Sequence, residues 1–140
     1  MPAISGILET ALYVDDLDRS ERFYRELFGV SRILGDDRIR ALRLPGDQVL
    51  LLFRKGASTQ PSVTDSGIIP PHDGDGRLHL AFRIDRANDS AWREHLTKLG
   101  ISLESGIYPC SGVSLYFRDP DGHCIELAST EVWPDHSQNV

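Results

Sequence analysis

The chain has 140 residues, a formal net charge of -6 and an isoelectric point near 5.3. Its hydrophobic fraction of 40% and charged fraction of 26% are typical of a globular protein with its own core. The negative charge disfavours nucleic acid and anionic membranes as partners. No apolar run reaches the roughly 18 residues of a membrane span. No secretion signal is recognisable, so the two cysteines, Cys110 and Cys124, predict free thiols in a cytoplasmic protein.

The first half of the chain predicts a strand, a helix and further strands. Alternation over residues 7–14 indicates a strand with Leu8 on its core-facing side. The pair Asp15-Asp16 can cap the following helix, and Gly29 can end it in the left-handed conformation. Two further strands are predicted, roughly over 38–44 and 48–54.

Residues 55–76, here called the linker, are rich in Pro, Gly, Ser, Thr and Asp. Loops of this length act as functional covers or as mobile connectors. Within the linker, His72 is expected to be a solvated loop residue, with a lid contact as the alternative.

The second half repeats the pattern of strand, helix and strands. A strand is predicted over 78–84. The segment Asn88-Asp89-Ser90 can cap a helix that has Trp92 in its core-facing stripe. Asp-Pro-Asp-Gly at 119–122 is a strong turn signal between two strands. The remaining strands are predicted over 101–104, 113–118 and 123–128.

The two halves align with each other. When Glu9 is placed on His79, Ala11 falls on Ala81 and Asp15 on Asp85. Chance similarity between two amphipathic strand–helix units is the alternative, but the aligned aspartates and helix ends favour an internal repeat. The repeat predicts two βαβββ modules.

Three segments resemble the vicinal oxygen chelate superfamily, which includes glyoxalase I, bleomycin resistance proteins and extradiol dioxygenases. They are Leu12–Tyr24, His79–Phe82 and the Phe-Arg-Asp-Pro-Asp-Gly-His-Cys-Ile-Glu-Leu motif within 116–127. The resemblance implies an α+β fold of two βαβββ modules that form cupped mixed sheets with flanking helices. The expected limits are 4–54 for module one, 55–76 for the linker, 77–130 for module two and 131–140 for a tail.

The resemblance also implies a divalent metal ion held by Glu9, His79 and Glu126, which occupy first-strand and last-strand positions of the modules. The corresponding position in the first module falls near Leu51, where glyoxalase I carries a carboxylate. Glu9 stands where a histidine is more usual. Alternatives are that His79 is a structural histidine, or that Glu9 binds a cationic group or pairs with Arg83.

Such a site suits a substrate with two neighbouring oxygens, because three protein ligands leave coordination positions open. Mn, Ni, Fe and Zn are candidate ions, and two carboxylates shift the expectation away from tightly held zinc. Since Leu51 cannot move a proton, Glu9 or Glu126 would have to act as the catalytic base.

Strand parity adds residues to the side that carries the ligands. A role in substrate binding is predicted for Tyr13, Arg83, Tyr116 and Cys124. Ion pairing of Arg83 and simple packing of the tyrosines are the alternatives.

Two functions from different classes remain open. The first is a metal-dependent enzyme resembling glyoxalase-type lyases or isomerases, which acts on a small oxygenated substrate and forms a homodimer. The second is a metal-free protein that sequesters a small molecule, as bleomycin resistance proteins do. A ring-cleaving dioxygenase is less favoured, because the usual first imidazole is replaced by Glu9.

Overall fold

A computed structural model describes residues 1–134. The chain divides into two compact units, Met1–Gly76 and Arg77–Val140, and residues 135–140 lie outside the described part. Each unit contains a four-stranded mixed sheet with an α-helix, so the predicted α+β fold with two βαβββ arrangements is confirmed. None of the described helices is both long enough and apolar enough to cross a bilayer.

The first unit contains one four-stranded sheet and a separate hairpin. In the sheet the strand order is β1-β4-β3-β2, with β1 and β4 parallel and the other neighbours antiparallel. The elements are β1 Glu9–Val14, α1 Leu17–Phe28, β2 Arg32–Gly35, β3 Ile39–Arg43, β4 Val49–Arg54, β5 Ser62–Thr64 and β6 Gly67–Ile69.

Helix α1 has the predicted limits. The Asp16 side chain accepts a hydrogen bond from the Arg19 backbone N–H at 3.0 Å, and Gly29 follows the helix with φ 65°. These two caps satisfy backbone groups that the helix itself leaves unpaired. The helix packs against β3 and β4 and buries Tyr24 and Leu27 completely.

The expectation for Leu8 is wrong. The β1–β4 ladder ends where Glu9 pairs with Val49, so no strand extends beside Leu8, and its side chain is 68% exposed. Leu12 and Val14, four and six residues further along the chain, are buried as predicted.

Sequence patterns missed two parts of the first unit. Strand β2 is an exposed edge strand with an irregular register, so it lacks the alternation that marks a half-buried strand. The linker holds the β5–β6 hairpin, which pairs with no other strand in the described chain.

The second unit has the same strand order as the first, β7-β10-β9-β8, again with one parallel pair, β7 with β10. Leu115, Phe117, Ile125 and Leu127 lie on one side of its sheet and are fully buried. The elements are β7 His79–Arg83, α2 Asp89–Lys98, β8 Ser105–Ile107, β9 Ser114–Arg118 and β10 Cys124–Ala128, with single 3-10 turns at Arg86–Asn88 and Thr130–Val132.

The start of α2 differs from the prediction. Asp85 caps the 3-10 turn by accepting from the Ala87 N–H, whereas Asn88 makes no side-chain capping bond. Trp92, expected in the core, is half-buried, and Leu96 is the buried residue of this helix. The short strand lies at Ser105–Ile107 rather than 101–104, because the chain first turns back on the helix through an Ile101 N–H to Leu96 C=O bond.

The predicted turn at 119–122 is present. The Asp119 carboxylate accepts from the backbone N–H groups of Asp121 and His123, and Gly122 has φ 81°. The turn joins β9 to β10 and fixes their antiparallel register, in which Tyr116 lies opposite Glu126.

Candidate functional site

One face of the second sheet carries the polar residues that the sequence singled out. Paired strand residues share a face, and residues two apart along a strand share it too. Because Cys124 pairs with His79, and Glu126 pairs with both Ala81 and Tyr116, all these side chains lie on the face opposite the buried leucines. Arg83, paired with Ala128, belongs to the same face.

His79 and Glu126 are in direct contact. Nε2 of His79 lies 3.2 Å from Oε2 of Glu126, and Nδ1 of His79 lies 2.9 Å from the carbonyl oxygen of Cys124. A carbonyl oxygen can only accept, so Nδ1 carries the hydrogen. In neutral His79 the lone pair of Nε2 therefore faces an oxygen that also carries lone pairs. A cation between the two atoms, either a proton or a metal ion, makes the arrangement favourable.

The two side chains differ in burial. The Glu126 side chain is 11% exposed and that of His79 is 54% exposed. A carboxylate that has lost most of its water requires hydrogen-bonding or charged partners. Glu126 has such a partner in His79.

Tyr116 completes this group. Burial raises the pKa of Tyr116, and the Glu126 carboxylate beside it raises the pKa further, so the hydroxyl stays protonated. The Tyr116 ring lies 6.3 Å from the His79 ring, with 26° between the planes. Tyr116 therefore contacts both His79 and Glu126.

The remaining predicted residues of this face have different surroundings. Cys124 is half-buried and not in a disulfide, and Arg83 is exposed at the end of β7. Cys110, the other free thiol, is exposed in a loop where its backbone has φ 54°.

Sequence reasoning missed His123. This side chain is fully buried, and its Nδ1 accepts a hydrogen bond from the Leu78 backbone N–H at 2.9 Å. The Cys124 N–H donates in turn to the Leu78 carbonyl at 2.8 Å. These bonds fix the backbone directly before His79. The available signal was a histidine placed immediately after the Asp-Pro-Asp-Gly turn.

The first unit has the same strand register as the second, but it has a leucine where the second unit has Glu126. Glu9 pairs with Val49, and Leu51 pairs with Ala11, as Glu126 pairs with Ala81 in the second unit. Leu51 therefore holds the position that Glu126 holds in its own sheet. Glu9 is exposed at the first residue of β1, the position that His79 has in β7.

Tyr13 lies on the Glu9 face of β1 and contacts the linker. Its hydroxyl is 2.8 Å from Nδ1 of His72, and the His72 ring packs edge-on against Phe53, with centroids 4.4 Å apart. Burial raises the pKa of Tyr13, and the nearby Asp73 carboxylate raises it further. His72 is half-buried, so the expectation that it is solvated is wrong.

These donors suit a hard divalent cation. An imidazole whose Nδ1 is bonded to a carbonyl presents Nε2 as a ligand, the usual arrangement for metal-bound histidine. Within residues 1–134 no cluster of three or more His, Cys, Asp or Glu side chains is arranged to hold an ion. The second unit thus supplies two adjoining donors, and Glu9 belongs to the other unit.

Comparison with known proteins assigns the family. The model of the Glyoxalase/Bleomycin resistance protein/Dioxygenase superfamily matches residues 6–127. The chain belongs to this superfamily. The resemblance read from the Asp-Pro-Asp-Gly motif and the repeat is therefore confirmed.

Several members of the superfamily are similar over most of their length. A crystal structure of lactoylglutathione lyase from Agrobacterium tumefaciens is 34% identical, with a TM-score of 0.85, over 96% of this chain and 100% of that one. Fosfomycin resistance protein FosX from Listeria monocytogenes is 30% identical over 132 residues, 89% of each chain. Metallothiol transferase FosB from Shouchella clausii is 24% identical over 127 residues, 89% of this chain and 80% of that protein.

Proposed function

We propose that this chain is a metal-dependent enzyme that acts on a small oxygenated substrate as a lyase or isomerase. His79 and Glu126 are two of its metal ligands. Glu9, from the first unit of the same chain or of a second copy in a homodimer, is the third. The enzyme works in the cytoplasm, where Cys110 and Cys124 stay reduced.

The contact between His79 and Glu126 carries this proposal. Nε2 of His79 and Oε2 of Glu126 are 3.2 Å apart, and Nδ1 of His79 donates its hydrogen to the carbonyl oxygen of Cys124. Nε2 faces a buried carboxylate, and a metal ion between the two atoms would satisfy both of them, as a proton would. The names of the relatives support the same reading, because FosB is a metallothiol transferase.

The donor set indicates which ions to test. One imidazole and two carboxylates are harder ligands than two imidazoles and one carboxylate, which favours Mn²⁺, Fe²⁺, Ni²⁺ or Mg²⁺ over tightly held Zn²⁺. When bound, such an ion supplies Lewis-acid stabilisation of negative charge on a substrate oxygen. The two carboxylates reduce the net charge of the ion and so weaken it as an electrophile.

Proton transfer falls to the carboxylates. Leu51 occupies the first-unit position equivalent to Glu126 and cannot accept a proton, so either Glu126 or Glu9 would have to leave the ion to act as the general base. Glu126 is the more sheltered of the two, since it is buried whereas Glu9 is exposed.

The relatives name two substrate classes to try first. The lactoylglutathione lyase suggests lactoylglutathione, and FosX suggests fosfomycin. Arg83 and Tyr13 are proposed to bind the substrate, Arg83 because an exposed guanidinium can hold a carboxylate or phosphonate through two parallel hydrogen bonds. Cys124 and Tyr116 line the same face as His79.

The experiment is a calorimetric titration of chelator-treated protein with Mn²⁺, Ni²⁺ and Zn²⁺. We expect wild-type protein to bind at least one ion, and we expect His79→Ala and Glu126→Gln to bind it at least 10-fold more weakly. His95→Ala, which removes a helix α2 imidazole away from this face, is the matched control. Equal binding by wild type and His79→Ala would refute the metal site.

A metal-free sequestering protein is the second candidate, and Leu51 favours it. A first-unit face with Leu51 and the Tyr13–Phe53–His72 aromatic cluster suits an apolar or aromatic ligand. A ligand screen in excess chelator separates the two functions. Tight binding that persists there and is lost in Phe53→Ala would support sequestration.

A further inference from the structure

We propose that a cleft beside helix α1 in the first unit binds the phosphate group of a small metabolite, and that Arg25 and Arg32 hold this group. The cleft has a volume of about 630 Å³, which is in the range of small-molecule sites. Its lining side chains come from α1 and from the first residue of β2. They are Asp18, Glu21, Arg22, Arg25, Glu26 and Arg32.

The cleft is on the other side of the first sheet from the proposed substrate face. Arg40 of β3, which contacts α1, pairs with Leu52 of β4, and Leu52 pairs in turn with Leu12 of β1. Because successive residues of a strand point to opposite faces, these three lie on the face opposite Tyr13 and Glu9. The phosphate site is therefore separate from the proposed metal site and does not depend on it.

Glu21 brings three arginines together. Its side chain is 8% exposed. The carboxylate accepts hydrogen bonds from Nε of Arg40 at 3.0 Å, Nη1 of Arg32 at 3.3 Å and Nη1 of Arg25 at 3.4 Å. Like charges this close repel each other, and Glu21 offsets one of the three.

The group keeps more positive than negative charge. Arg40 also donates to Asp18 through Nη2 at 2.9 Å, so three guanidinium groups share two carboxylates. Arg22 and Glu26, which also line the cleft, add one charge of each sign. In a chain whose formal net charge is -6, this is a local site for an anion.

Arg25 and Arg32 have donors left for a ligand. Their side chains are 53% and 48% exposed. Within residues 1–134 the side chain of each makes one hydrogen bond, from Nη1 to a different oxygen of Glu21. Nε and Nη2 of both arginines can therefore donate to one tetrahedral anion, which is the geometry that makes arginine a common phosphate ligand.

Packing alone does not require arginine at these positions. When the glycines that follow the two helices are aligned, Arg25 corresponds to Leu96 and Arg32 to Leu103. Both leucines line a cleft of about 440 Å³ in the second unit. The fold thus forms this cleft with apolar residues as well, and the charged lining is particular to the first unit.

The test is calorimetric titration of metal-free protein with inorganic phosphate and with glycerol 3-phosphate, in a phosphate-free buffer of low ionic strength. We expect Arg25→Gln and Arg32→Gln to bind both probes about 5-fold more weakly than wild type, because each loses charge-assisted hydrogen bonds. Glu26→Gln, which removes a negative charge from the lining, is expected to bind about 2-fold more tightly. The ester is expected to bind at least as tightly as inorganic phosphate, because the cleft has room for its organic part.

Lys98→Gln is the matched control. Lys98 is also an exposed cation at the end of a helix, and its Nζ lies 3.5 Å from Glu94 on α2 in the second unit. Its replacement is expected to leave the affinity for phosphate unchanged. Thermal unfolding of every variant reports whether its fold is intact.

Chemical shifts locate the bound anion. In ¹⁵N-labelled protein titrated with inorganic phosphate, we expect the largest changes of amide shifts within residues 18–32. Changes centred on residues 79–83 would put the anion on the face of Arg83 instead and would overturn the inference.

Three further results would overturn it. They are wild-type protein that binds neither probe, equal affinities of wild type, Arg25→Gln and Arg32→Gln, and an ester that binds more weakly than inorganic phosphate. Since no metal is present in these titrations, each of these results leaves the proposed metal-dependent function to its own test.

Discussion

The hydroxyl of Tyr13 and Nδ1 of His72 are 2.8 Å apart, which joins strand β1 to the end of the linker. A backbone bond from His72 N–H to the Ser58 carbonyl, 2.9 Å long, ties the linker to itself at the same point. Ser58 is buried and accepts from Arg38 at 3.2 Å. The last part of the linker is therefore fixed against the first sheet.

His72→Ala should loosen the linker. It removes one half-buried hydrogen bond and an aromatic contact with Phe53, a loss of roughly 1–2 kcal/mol in the free energy of unfolding. Hydrogen exchange should rise within residues 55–76 while β3 and β4 stay protected. Unchanged exchange in the linker would show that the Tyr13–His72 contact does not hold it.

Gly74→Ala should disturb the same region by crowding. A Cβ at this position would overlap the ring of Tyr13, and overpacking of this kind costs about 1–3 kcal/mol. Gly35→Ala is the control, since the atoms nearest to a Cβ there belong to the flexible side chains of Arg32 and Arg40, at 3.0 Å or more. Urea unfolding of both variants measures the difference, and equal stability would contradict the close packing of Gly74 on Tyr13.

His123→Ala should destabilise the second unit and weaken metal binding together. It leaves the Leu78 N–H without its acceptor in a buried place and opens a cavity, at a cost of about 2–4 kcal/mol. His123→Asn is the informative partner, because an amide oxygen can replace Nδ1 as the acceptor and should recover part of the loss. Urea unfolding and Mn²⁺ titration measure both effects, and a stable His123→Ala protein would refute the role of this bond.

Leu51→Glu should restore a carboxylate at the position equivalent to Glu126. Without metal we expect a loss of about 1–3 kcal/mol in stability for both Leu51→Glu and the uncharged control Leu51→Gln, because each places a polar group at a half-buried position. With Mn²⁺ present, Leu51→Glu should gain thermal stability relative to Leu51→Gln. The same response to Mn²⁺ in both variants would argue that Leu51 lies away from the ion.

Acid stability should depend on Glu104. The hydrogen bonds from the Arg118 guanidinium, 2.6 and 3.2 Å long, hold the pKa of Glu104 below its ordinary value of 4.5. The unfolded state then binds more protons than the folded state near pH 4, so this contribution is present above pH 4.5 and is lost as the pH falls through the lowered pKa. Glu104→Gln should flatten the fall in stability below pH 4.5, with Glu94→Gln as a surface control. If Glu104→Gln loses stability below pH 4.5 as steeply as wild type, the contribution of the Arg118–Glu104 pair is contradicted.

The sequence could place residues on faces because strand periodicity is local. Alternation alone put Tyr116, Cys124 and Arg83 on one side with His79, and the observed registers agree. The helix caps at Asp16 and Gly29 were equally local. These predictions required no knowledge of which segments meet.

What the sequence could not supply depends on which segments meet. Leu8 alternates correctly but lies beyond the last pair of its ladder. The contacts of His72 with Tyr13 and of His123 with Leu78 join residues 59 and 45 positions apart, and no periodicity reports such pairs. Strand β2 lacked any signal because both its faces are exposed.

The turn at 119–122 connects strands whose pairing puts Glu126 opposite Tyr116. Inserting a single residue there would shift β10 by one step and move Glu126 from the side of His79 into the leucine core, while it drew Ile125 out. Most single substitutions in this loop should disturb the sheet less than such an insertion. Natural variation in length should therefore be tolerated between β5 and β6 and be absent between β9 and β10.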